Sequence, residues 1–327
     1  HPGQMRNLPK ACHSLVLFQP LDKIIFSVMP NELLSICIPT RNRARYLKEI
    51  LAAFARQINE DGIGPDKIAF YISDNASDDE TPKIISAFAQ KVPRAACSRN
   101  AVNIGADGNN IHIRTLAKGN YFWVVGDDEL LSDQAVVTVL RLIEKYQPGL
   151  IVAFDSRYDL RISTPQVFAD YRIFAEECIR RNAHALAEHT LISSNIFRAD
   201  CFDGDYAMTN LGTFFPHMFG MIRPLMKKKA SVVLPATPII TVRDWRPGAV
   251  DGQWVDVGAA WRNYFVWLRD ELRLPELDPA APGEHLRRAM IKAMLKSPIR
   301  FLAGNWRSIF DPKAYRVALN RLFRKTG

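Results

Sequence analysis

Strand-like and helical hydrophobic patterns alternate along the first half of the chain. Short apolar runs, typical of buried strands, occupy residues 33–39, 67–73, 121–125 and 150–154. The apolar positions between these runs recur at helical spacing, most clearly over residues 43–58. This alternation predicts an α/β domain whose mostly parallel sheet is covered by helices on both faces. The pattern is weaker after residue 160, where we expect helices over 168–186 and 254–272 and strands over 191–197 and 235–242.

An acidic turn follows the third apolar run. Asp127, Asp128 and Glu129 stand in a row after Gly126, and α/β sheets bind ligands at the carboxyl ends of their strands. Adjacent carboxylates repel one another, and a hard divalent cation such as Mg²⁺ or Mn²⁺ relieves that repulsion and can bridge to a diphosphate. The alternative is a solvated turn whose acids favour the dipole of the next helix. We favour the metal-binding interpretation.

Polar residues also follow the first two apolar runs. The carboxylate of Asp74, beside Asn75, is suited to accept hydrogen bonds from a nucleoside base or ribose. Ser77 and Glu80 match an N-terminal capping box, so the residues between them are expected to start a helix. The loop at residues 39–43 carries two arginines that suit a diphosphate, although a solvated loop would look the same.

Four segments, in this order, resemble the GT-A domain of inverting family 2 glycosyltransferases. They read SICIPTRNRARYLKEIL, YISDNASDDET, NIGADGN and AKGNYFWVVGDDEL, and the resemblance as a whole covers about residues 33–155. Each segment is a weak signal alone, but the order and spacing of all four are specific. The subgroup that they most resemble includes abequosyltransferase-like enzymes of bacterial surface polysaccharides. The resemblance implies a Rossmann-like GT-A fold, a nucleotide-sugar donor and a metal ion, Mn²⁺ or Mg²⁺.

The resemblance also implies which positions bind the donor. Asp74 would contact the pyrimidine ring, and the loop of Asn103 and Gly105 would lie beneath the nucleotide. Asn110 stands near the position where many members have a diphosphate-binding arginine, which this chain lacks. The implied nucleotide-binding residues are Pro39, Thr40, Asn42, Arg43, Asp74, Asn75, Asn103, Gly105, Asn110 and Asp127.

The acidic turn occupies the place of the family's Asp-x-Asp motif, and the resemblance assigns Asp128 and Glu129 to the metal. Asp128 is also expected to act in catalysis. In the family, the general base is usually an acid of the second half, but no clear Glu-Asp pair occurs there. His217 falls near the expected place and can serve as a base near neutral pH. A packed histidine is the alternative, and Asp203 and Asp205 are weaker candidates.

The expected reaction is attack of an acceptor hydroxyl on the anomeric carbon of a pyrimidine nucleotide sugar, with inversion. UDP is the first choice of donor nucleotide, and CDP and dTDP fit the same residues. The acceptor is expected to be a polysaccharide or a lipid-linked saccharide of bacterial surface-polysaccharide synthesis. One alternative is a sugar-nucleotide pyrophosphorylase. Such an enzyme would require a glycine-rich, lysine-bearing loop after the first strand, and the loop at this place in the chain lacks that motif. A non-enzymatic protein that binds nucleic acid or membranes is the other alternative.

Charge and cysteine content bear on location. Residues 287–327 carry eleven Lys or Arg and one acid, whereas the rest of the chain is close to neutral. Aromatic residues interleave with these cations, which is typical of helices that lie on an anionic membrane. The alternative is a basic helical cap that packs on the catalytic domain, and nucleic-acid binding is the least favoured interpretation. Five scattered cysteines without a CxxC pair favour a reduced compartment. We therefore expect a cytoplasmic protein that associates with the inner face of the plasma membrane.

Three regions are expected along the chain. Residues 1–28 lack the zones of a signal peptide and are interpreted as an N-terminal extension, poorly ordered or not native, with Met29 as an alternative start. Residues 29–250 form the GT-A domain, with a nucleotide-binding half at 33–155 and an acceptor half at 156–250. Residues 251–327 form a helical basic region.

Overall fold

The computed structural model describes residues 32–275 and 277, apart from 65, 93, 154–162, 181–185, 187–188, 243–248, 251–252 and 255–256. The expected N-terminal extension at 1–28 and the basic tail at 287–327 therefore lie outside the described residues. The strands are β1 (Leu34–Thr40), β2 (Ile68–Asp74), β3 (Ala95–Arg99), β4 (Tyr121–Val124), β5 (Glu129–Leu131), β6 (Leu150–Val152), β7 (Gln166–Phe168), β8 (Asn195–Arg198), β9 (Val232–Leu234), β10 (Ile240–Val242), β11 (Ala249–Val250) and β12 (Gln253–Trp254).

Helices cover the sheet and connect its strands. They are α1 (Ala44–Glu60), α2 (Thr81–Lys91), α3 (Ala106–Leu116), α4 (Ala135–Tyr146), α5 (Tyr171–Arg180), α6 (Gly204–Thr209), α7 (Pro216–Lys228) and α8 (Val257–Leu272). Short 3₁₀ turns occupy Ile192–Ser194 and Ala199–Cys201. No helix among the described residues is long and apolar enough to cross a bilayer.

Eight strands form one sheet in the order β3-β2-β1-β4-β8-β6-β9-β7. The first four strands are parallel, as the alternating pattern predicts. β8 runs antiparallel between β4 and β6, and β9 is parallel to β6. The α/β class expected from the sequence is confirmed. All four apolar runs form strands of this sheet, and their carboxyl ends in β1, β2 and β4 meet at one edge.

Two apolar clusters sandwich the sheet because alternate strand residues face opposite sides. On one face, Ile36 and Trp123 pack against α1, α2 and α4. On the other, Cys37 and Phe122 pack against α3, α5, α7 and α8. The helices thus lie on both faces, and the loops at the carboxyl edge are anchored from both sides.

The hydrophobic pattern does not predict some of the short strands. β3 reads AACSR and β9 has only three residues, so neither presents an apolar run long enough to recognise. β5 pairs with β10 in a separate two-stranded sheet that places Glu129 opposite Val242. The helix expected over 168–186 begins instead at Tyr171, after β7. Pairing with distant strands stabilises these elements, and local sequence carries little of that signal.

Phe54 of α1 tests this packing. Its ring is buried completely and makes edge-to-face contacts with Phe70 and Trp123, at centroid distances of 5.5 and 5.9 Å. Phe54→Ala should lower the free energy of unfolding by about 3–5 kcal/mol, because it leaves a cavity between helix and sheet. Urea denaturation measures this loss. The exposed Lys48 on the same helix is the matched control, and Lys48→Ala should stay within about 0.5 kcal/mol. Equal effects of the two changes would contradict the packing described.

Candidate functional site

The acidic turn is fixed to the sheet by a short buried hydrogen bond. Thr40, the last residue of β1, donates from Oγ1 to Asp127 Oδ2 at 2.6 Å. Both side chains are buried. Burial raises the pKa of Asp127 to about 7; the neighbouring charge of Asp128 adds to this effect, whereas the Thr40 hydrogen bond and Arg43 oppose it. Burial therefore disfavours the charged form of Asp127 by more than Thr40 and Arg43 stabilise it.

The next two carboxylates fold back over a glycine. A Cβ added at Gly126 would meet Asp128 Oδ1 and Glu129 Oε1, each at 3.4 Å, so these two oxygens converge over the same point. The other oxygen of Asp128 accepts a hydrogen bond from Arg43 Nη1 at 2.8 Å. The amide of Gly126 donates to Ser193 Oγ at 3.0 Å, which ties the turn to the 3₁₀ segment before β8.

These carboxylates fit a divalent cation that shares its ligands with a substrate. Their oxygens are the hard ligands that Mg²⁺ and Mn²⁺ prefer, and Mg²⁺ is commonly held by one or two carboxylates together with phosphate oxygens. Within the described part of the chain, no three acidic, histidine or cysteine side chains form a complete ion site. Asp128 and Glu129 would therefore supply part of the coordination sphere, and diphosphate and water the rest.

The loops after β1 and β2 brace each other. Asn42 adopts a left-handed conformation with φ 53°, its amide donates to Ser77 Oγ, and its own Oδ1 accepts from the amide of Asp78. Asp79 accepts from the amide of Ala44 at the start of α1. The expected capping box is wrong, because α2 begins only at Thr81, without a side-chain cap. Ser77 instead holds the loop after β1.

Asp74 is held inside the fold. Its carboxylate accepts from the amide of Ser77 at 2.9 Å and from Arg99 Nη1 at 3.0 Å, and its side chain is only 2% exposed. Arg99 also donates to the carbonyl of Ser77 and is about half exposed. Sequence reasoning missed Arg99, because it ends β3, a strand that the apolar pattern does not reveal.

An amide network holds the loop that leads into α3. Asn75 donates to Asn103 Oδ1 and to the carbonyl of Gly105, and it accepts from the amide of Ile104 and from Asn100. Gly105 has φ 78°, a conformation that favours glycine. Asn75 and Asn103 are thus in direct contact, and Asn75 uses its side-chain amide to hold this loop.

Asn109 extends the same network. It accepts from Ser73 Oγ and from Asn100, and it donates to the carbonyl of Ser73. Neither Asn100 nor Asn109 was identified from sequence. Both are buried, so their amides need these internal partners.

Asn110 and His217 lie together on the α3 side of the sheet. Both line a cavity of about 10 Å³, room for about one water molecule, with Asn195 and Val124 in its wall. His217 Nε2 lies 3.0 Å from the carbonyl of Thr190, to which it donates. Burial lowers the pKa of His217 to about 4, so the ring is neutral at physiological pH.

The remaining candidate residues have structural roles or lie at the end of a strand. Asp203 is the N-cap of α6 and accepts from the amide of Tyr206, and Asp205 follows in the first turn. Pro39 is partly exposed at the end of β1. A wider groove of about 830 Å³ opens at the amino ends of β1, β2 and β4, the edge opposite the acidic turn. That groove contains none of the predicted site residues.

Comparison with known proteins gives a consistent result for this part of the chain. Residues 35–191 match the family model described as glycosyl transferase family 2. The abequosyltransferase RfbV of Salmonella typhimurium is 28% identical over 204 residues, which are 58% of this chain and 60% of that protein. The glycosyltransferase GlyG of Streptococcus pneumoniae is 23% identical over 130 residues, 39% of this chain and 41% of that protein. The matches thus span less than two thirds of either relative.

Solved structures share the fold at low sequence identity. Staphylococcus aureus TarS 1–349 has a TM-score of 0.55 at 13% identity, over 88% of this chain and 85% of that one. The same fragment in complex with UDP-GlcNAc has a TM-score of 0.55 at 14% identity, over 83% and 79% of the two chains. At these identities the likeness concerns the fold alone.

The buried His189 predicts a pH dependence of stability. Its ring lies against Tyr171 and Phe174, and burial, aided by His217, lowers its pKa to about 3. In the unfolded chain the imidazole of this histidine has a pKa of about 6.5 and is protonated below that pH. In the folded protein the ring stays neutral in the same pH range. The free energy of unfolding should therefore fall as the pH drops below 6.5, by about 1.4 kcal/mol per pH unit from this residue.

Urea denaturation of the wild type and His189→Gln at pH 5, 6 and 7 checks this expectation. The glutamine variant should show the flatter slope, because it lacks the titrating ring while other histidines contribute equally to both proteins. Parallel slopes would show that His189 is not held neutral in the fold.

Proposed function

Since this chain belongs to glycosyltransferase family 2 through residues 35–191 and has the GT-A fold, we propose that it transfers a sugar from a pyrimidine nucleoside diphosphate to an acceptor hydroxyl. The observation that supports this most directly is the convergence of Asp128 and Glu129 over Gly126, beside the guanidinium of Arg43. Carboxylates and a cation at the carboxyl edge of a parallel sheet suit the diphosphate end of such a donor.

The metal belongs to this proposal. Asp128 and Glu129 would bind Mn²⁺ or Mg²⁺, and the cation would stabilise the negative charge that develops on the departing nucleoside diphosphate. The guanidinium of Arg43 pairs with one carboxylate oxygen of Asp128, and it would also contact a diphosphate bound beside that carboxylate. Asp127 keeps the turn in place through Thr40 and contributes to the nucleotide side of the site.

Arg43 and Arg99 replace the cation that position 110 lacks. Asn110 lines the internal cavity near His217, so the diphosphate contact falls to side chains at the carboxyl edge. Arg43 and Arg99 each expose about half of their side chain there. Arg99 also holds Asp74, so base or ribose contacts would come from the exposed parts of the loops that Asp74 and Asn75 position. UDP remains the first choice, and CDP and dTDP fit the same residues.

His217 is proposed as the general base for an inverting transfer. Because Nε2 donates to Thr190, Nδ1 carries the lone pair that could accept a proton. The lowered pKa keeps the ring neutral, which is the state that a base requires, although it also makes the ring a weak base. The base must lie on the face opposite the leaving group, so its assignment depends on where the acceptor binds.

The acceptor is proposed to be a saccharide or a lipid-linked saccharide of a bacterial surface polysaccharide. The similarity to an abequosyltransferase supports this class. The basic sequence at 287–327 would bring the protein to the anionic inner face of the plasma membrane, where a lipid-linked acceptor resides.

Thermal unfolding with a nucleotide panel tests the donor site. One of UDP, CDP and dTDP, with Mn²⁺, should stabilise the protein, by about 2.7 kcal/mol at 100 times the dissociation constant, and GDP should not. Asp128→Asn and Glu129→Gln should remove the Mn²⁺-dependent part because they remove ligand charge. Glu144→Gln is the matched control, since this carboxylate pairs with Lys67 at the opposite edge.

Each alternative result has a defined meaning. No stabilisation by any nucleotide would overturn the proposed activity. Stabilisation that is equal with and without Mn²⁺ would overturn the metal site and leave the nucleotide site in place. A loss in Glu144→Gln equal to that in Asp128→Asn would show that the effect is not local to the acidic turn.

Sedimentation with vesicles tests the membrane role. The full chain should bind phosphatidylglycerol vesicles and leave phosphatidylcholine vesicles free. Replacing Arg287, Arg288, Lys292 and Lys296 by Gln should weaken binding at least tenfold, since each cation near an anionic surface contributes about 1 kcal/mol. Equal binding to both vesicle types, or no effect of the replacements, would contradict electrostatic attachment.

A further inference from the structure

One ion pair joins the loop after β1 to the acidic turn. Nη1 of Arg43 donates to Oδ2 of Asp128 at 2.8 Å, although 85 residues separate the two in sequence. Both side chains are partly exposed, 46% for Arg43 and 33% for Asp128. An ion pair at such a surface contributes little to stability, because water competes for both partners. The pair is therefore of more consequence for what binds at the turn than for the stability of the fold.

The backbone of Arg43 is held in place, whereas its side chain can reach a second partner. Its amide donates to Thr81 Oγ1 at 3.3 Å, and its carbonyl accepts from the amide of Leu47 in α1. The guanidinium carbon lies 5.6 Å from the ring centre of Tyr46, in the first turn of that helix. Partly exposed side chains change rotamer in nanoseconds or less. The guanidinium can therefore exchange partners without a change in the loop that carries it.

Asp128 has one oxygen on this arginine and the other near Glu129. Its Oδ2 accepts from Arg43, while its Oδ1 and Oε1 of Glu129 each lie 3.4 Å from the position of a Cβ added at Gly126. A guanidinium beside a carboxylate offsets part of the charge that the carboxylate offers to a metal ion, and it also repels that ion. Arg43 should therefore weaken the binding of a divalent cation for as long as it pairs with Asp128.

A nucleoside diphosphate is a stronger partner for Arg43 than Asp128 is. A guanidinium pairs with phosphate oxygens through two parallel hydrogen bonds, and a diphosphate carries more negative charge than one carboxylate. Once Arg43 turned toward the diphosphate, it would no longer offset the charge of Asp128. The nucleotide and the divalent cation would then favour the same position of this side chain, so each would raise the affinity for the other.

We propose that Arg43 exchanges partners when the donor binds: it pairs with Asp128 in the free protein and with the diphosphate in the complex. This inference rests on the proposed function, and it adds to the diphosphate contact a coupling between nucleotide and metal. Arg43 thereby keeps the affinity of the free protein for Mn²⁺ low and makes the nucleotide raise it. A diphosphate that ligates the cation contributes to the same coupling, so the test compares variants of Arg43 with the wild type.

Two variants and a matched control test this exchange. Arg43→Gln removes the charge and the ion pair, whereas Arg43→Lys keeps the charge without the paired donors of a guanidinium. Arg45→Gln is the control, because it removes the same charge from a nearby side chain that is 81% exposed and pairs with Glu49. Electron paramagnetic resonance of free Mn²⁺ measures the affinity for the ion with and without UDP. Calorimetry measures the affinity for UDP at saturating Mn²⁺.

In Arg43→Gln the two affinities should change in opposite directions. Mn²⁺ alone should bind about threefold more tightly, because Arg43 no longer offsets the charge of Asp128. UDP with saturating Mn²⁺ should bind about tenfold more weakly, because a charge-assisted contact with the diphosphate is lost. The factor by which UDP raises the Mn²⁺ affinity should therefore fall about threefold. Arg43→Lys should lie between this variant and the wild type, and Arg45→Gln should stay within about twofold of the wild type in both affinities.

Three results would overturn the inference. Weaker binding of both Mn²⁺ and UDP in Arg43→Gln would show that Arg43 only maintains the shape of the loop. An unchanged Mn²⁺ affinity in that variant would show that the ion pair does not restrain Asp128. An equal rise in Arg45→Gln would show a general effect of charge rather than an exchange of partners.

Failure of the proposed function would be recognised separately. A wild-type protein that binds none of UDP, CDP and dTDP would reject the proposed function and the exchange with it, before any variant is compared. The exchange alone is rejected when the wild type binds a pyrimidine nucleotide with Mn²⁺ and the opposite changes in Arg43→Gln do not occur.

Discussion

The hydrogen bond from Thr40 to Asp127 is the constraint on which the candidate site depends. It joins the end of β1 to the turn that follows the adjacent strand β4, in a buried place where an unpartnered carboxylate would be costly. Next to Asp127, one carboxylate oxygen each of Asp128 and Glu129 lies close to Gly126, where a side chain would meet both. The guanidinium of Arg43 pairs with Asp128 and offsets part of the negative charge of this turn.

The loops at the carboxyl edge support one another more than they rely on their own helices. The amide of Asn42 reaches Ser77, the amide of Ala44 reaches Asp79, and Asn75 holds Gly105. Each contact joins loops that are 30 or more residues apart in sequence, so a shift in one loop is transmitted to its neighbour. This arrangement explains why several polar residues that look like ligands in the sequence are occupied within the protein.

Local patterns predicted the fold class, the long strands and the acidic turn, because periodic burial and adjacent carboxylates are visible in the sequence itself. They did not predict β3 or β9, since those strands depend on pairing with β2 and β6 rather than on apolar runs. Arg99 was missed for a related reason: its partners Asp74 and Ser77 lie 25 and 22 residues away in sequence. The capping box predicted at Ser77 was wrong because the Ser77 hydroxyl accepts a hydrogen bond from the amide of Asn42 and does not cap α2.

The antiparallel strand β8 has a consequence for how the chain can be divided. β8 covers the outer edge of β4, although some seventy residues separate the two in sequence. A fragment that ended after β6 would expose an unpaired, strongly apolar strand, the kind of edge that recruits strands from other molecules. During synthesis, the ribosome must add those residues before β4 is closed on both sides. The part of the chain that ends with β6 thus leaves its own sheet open at β4.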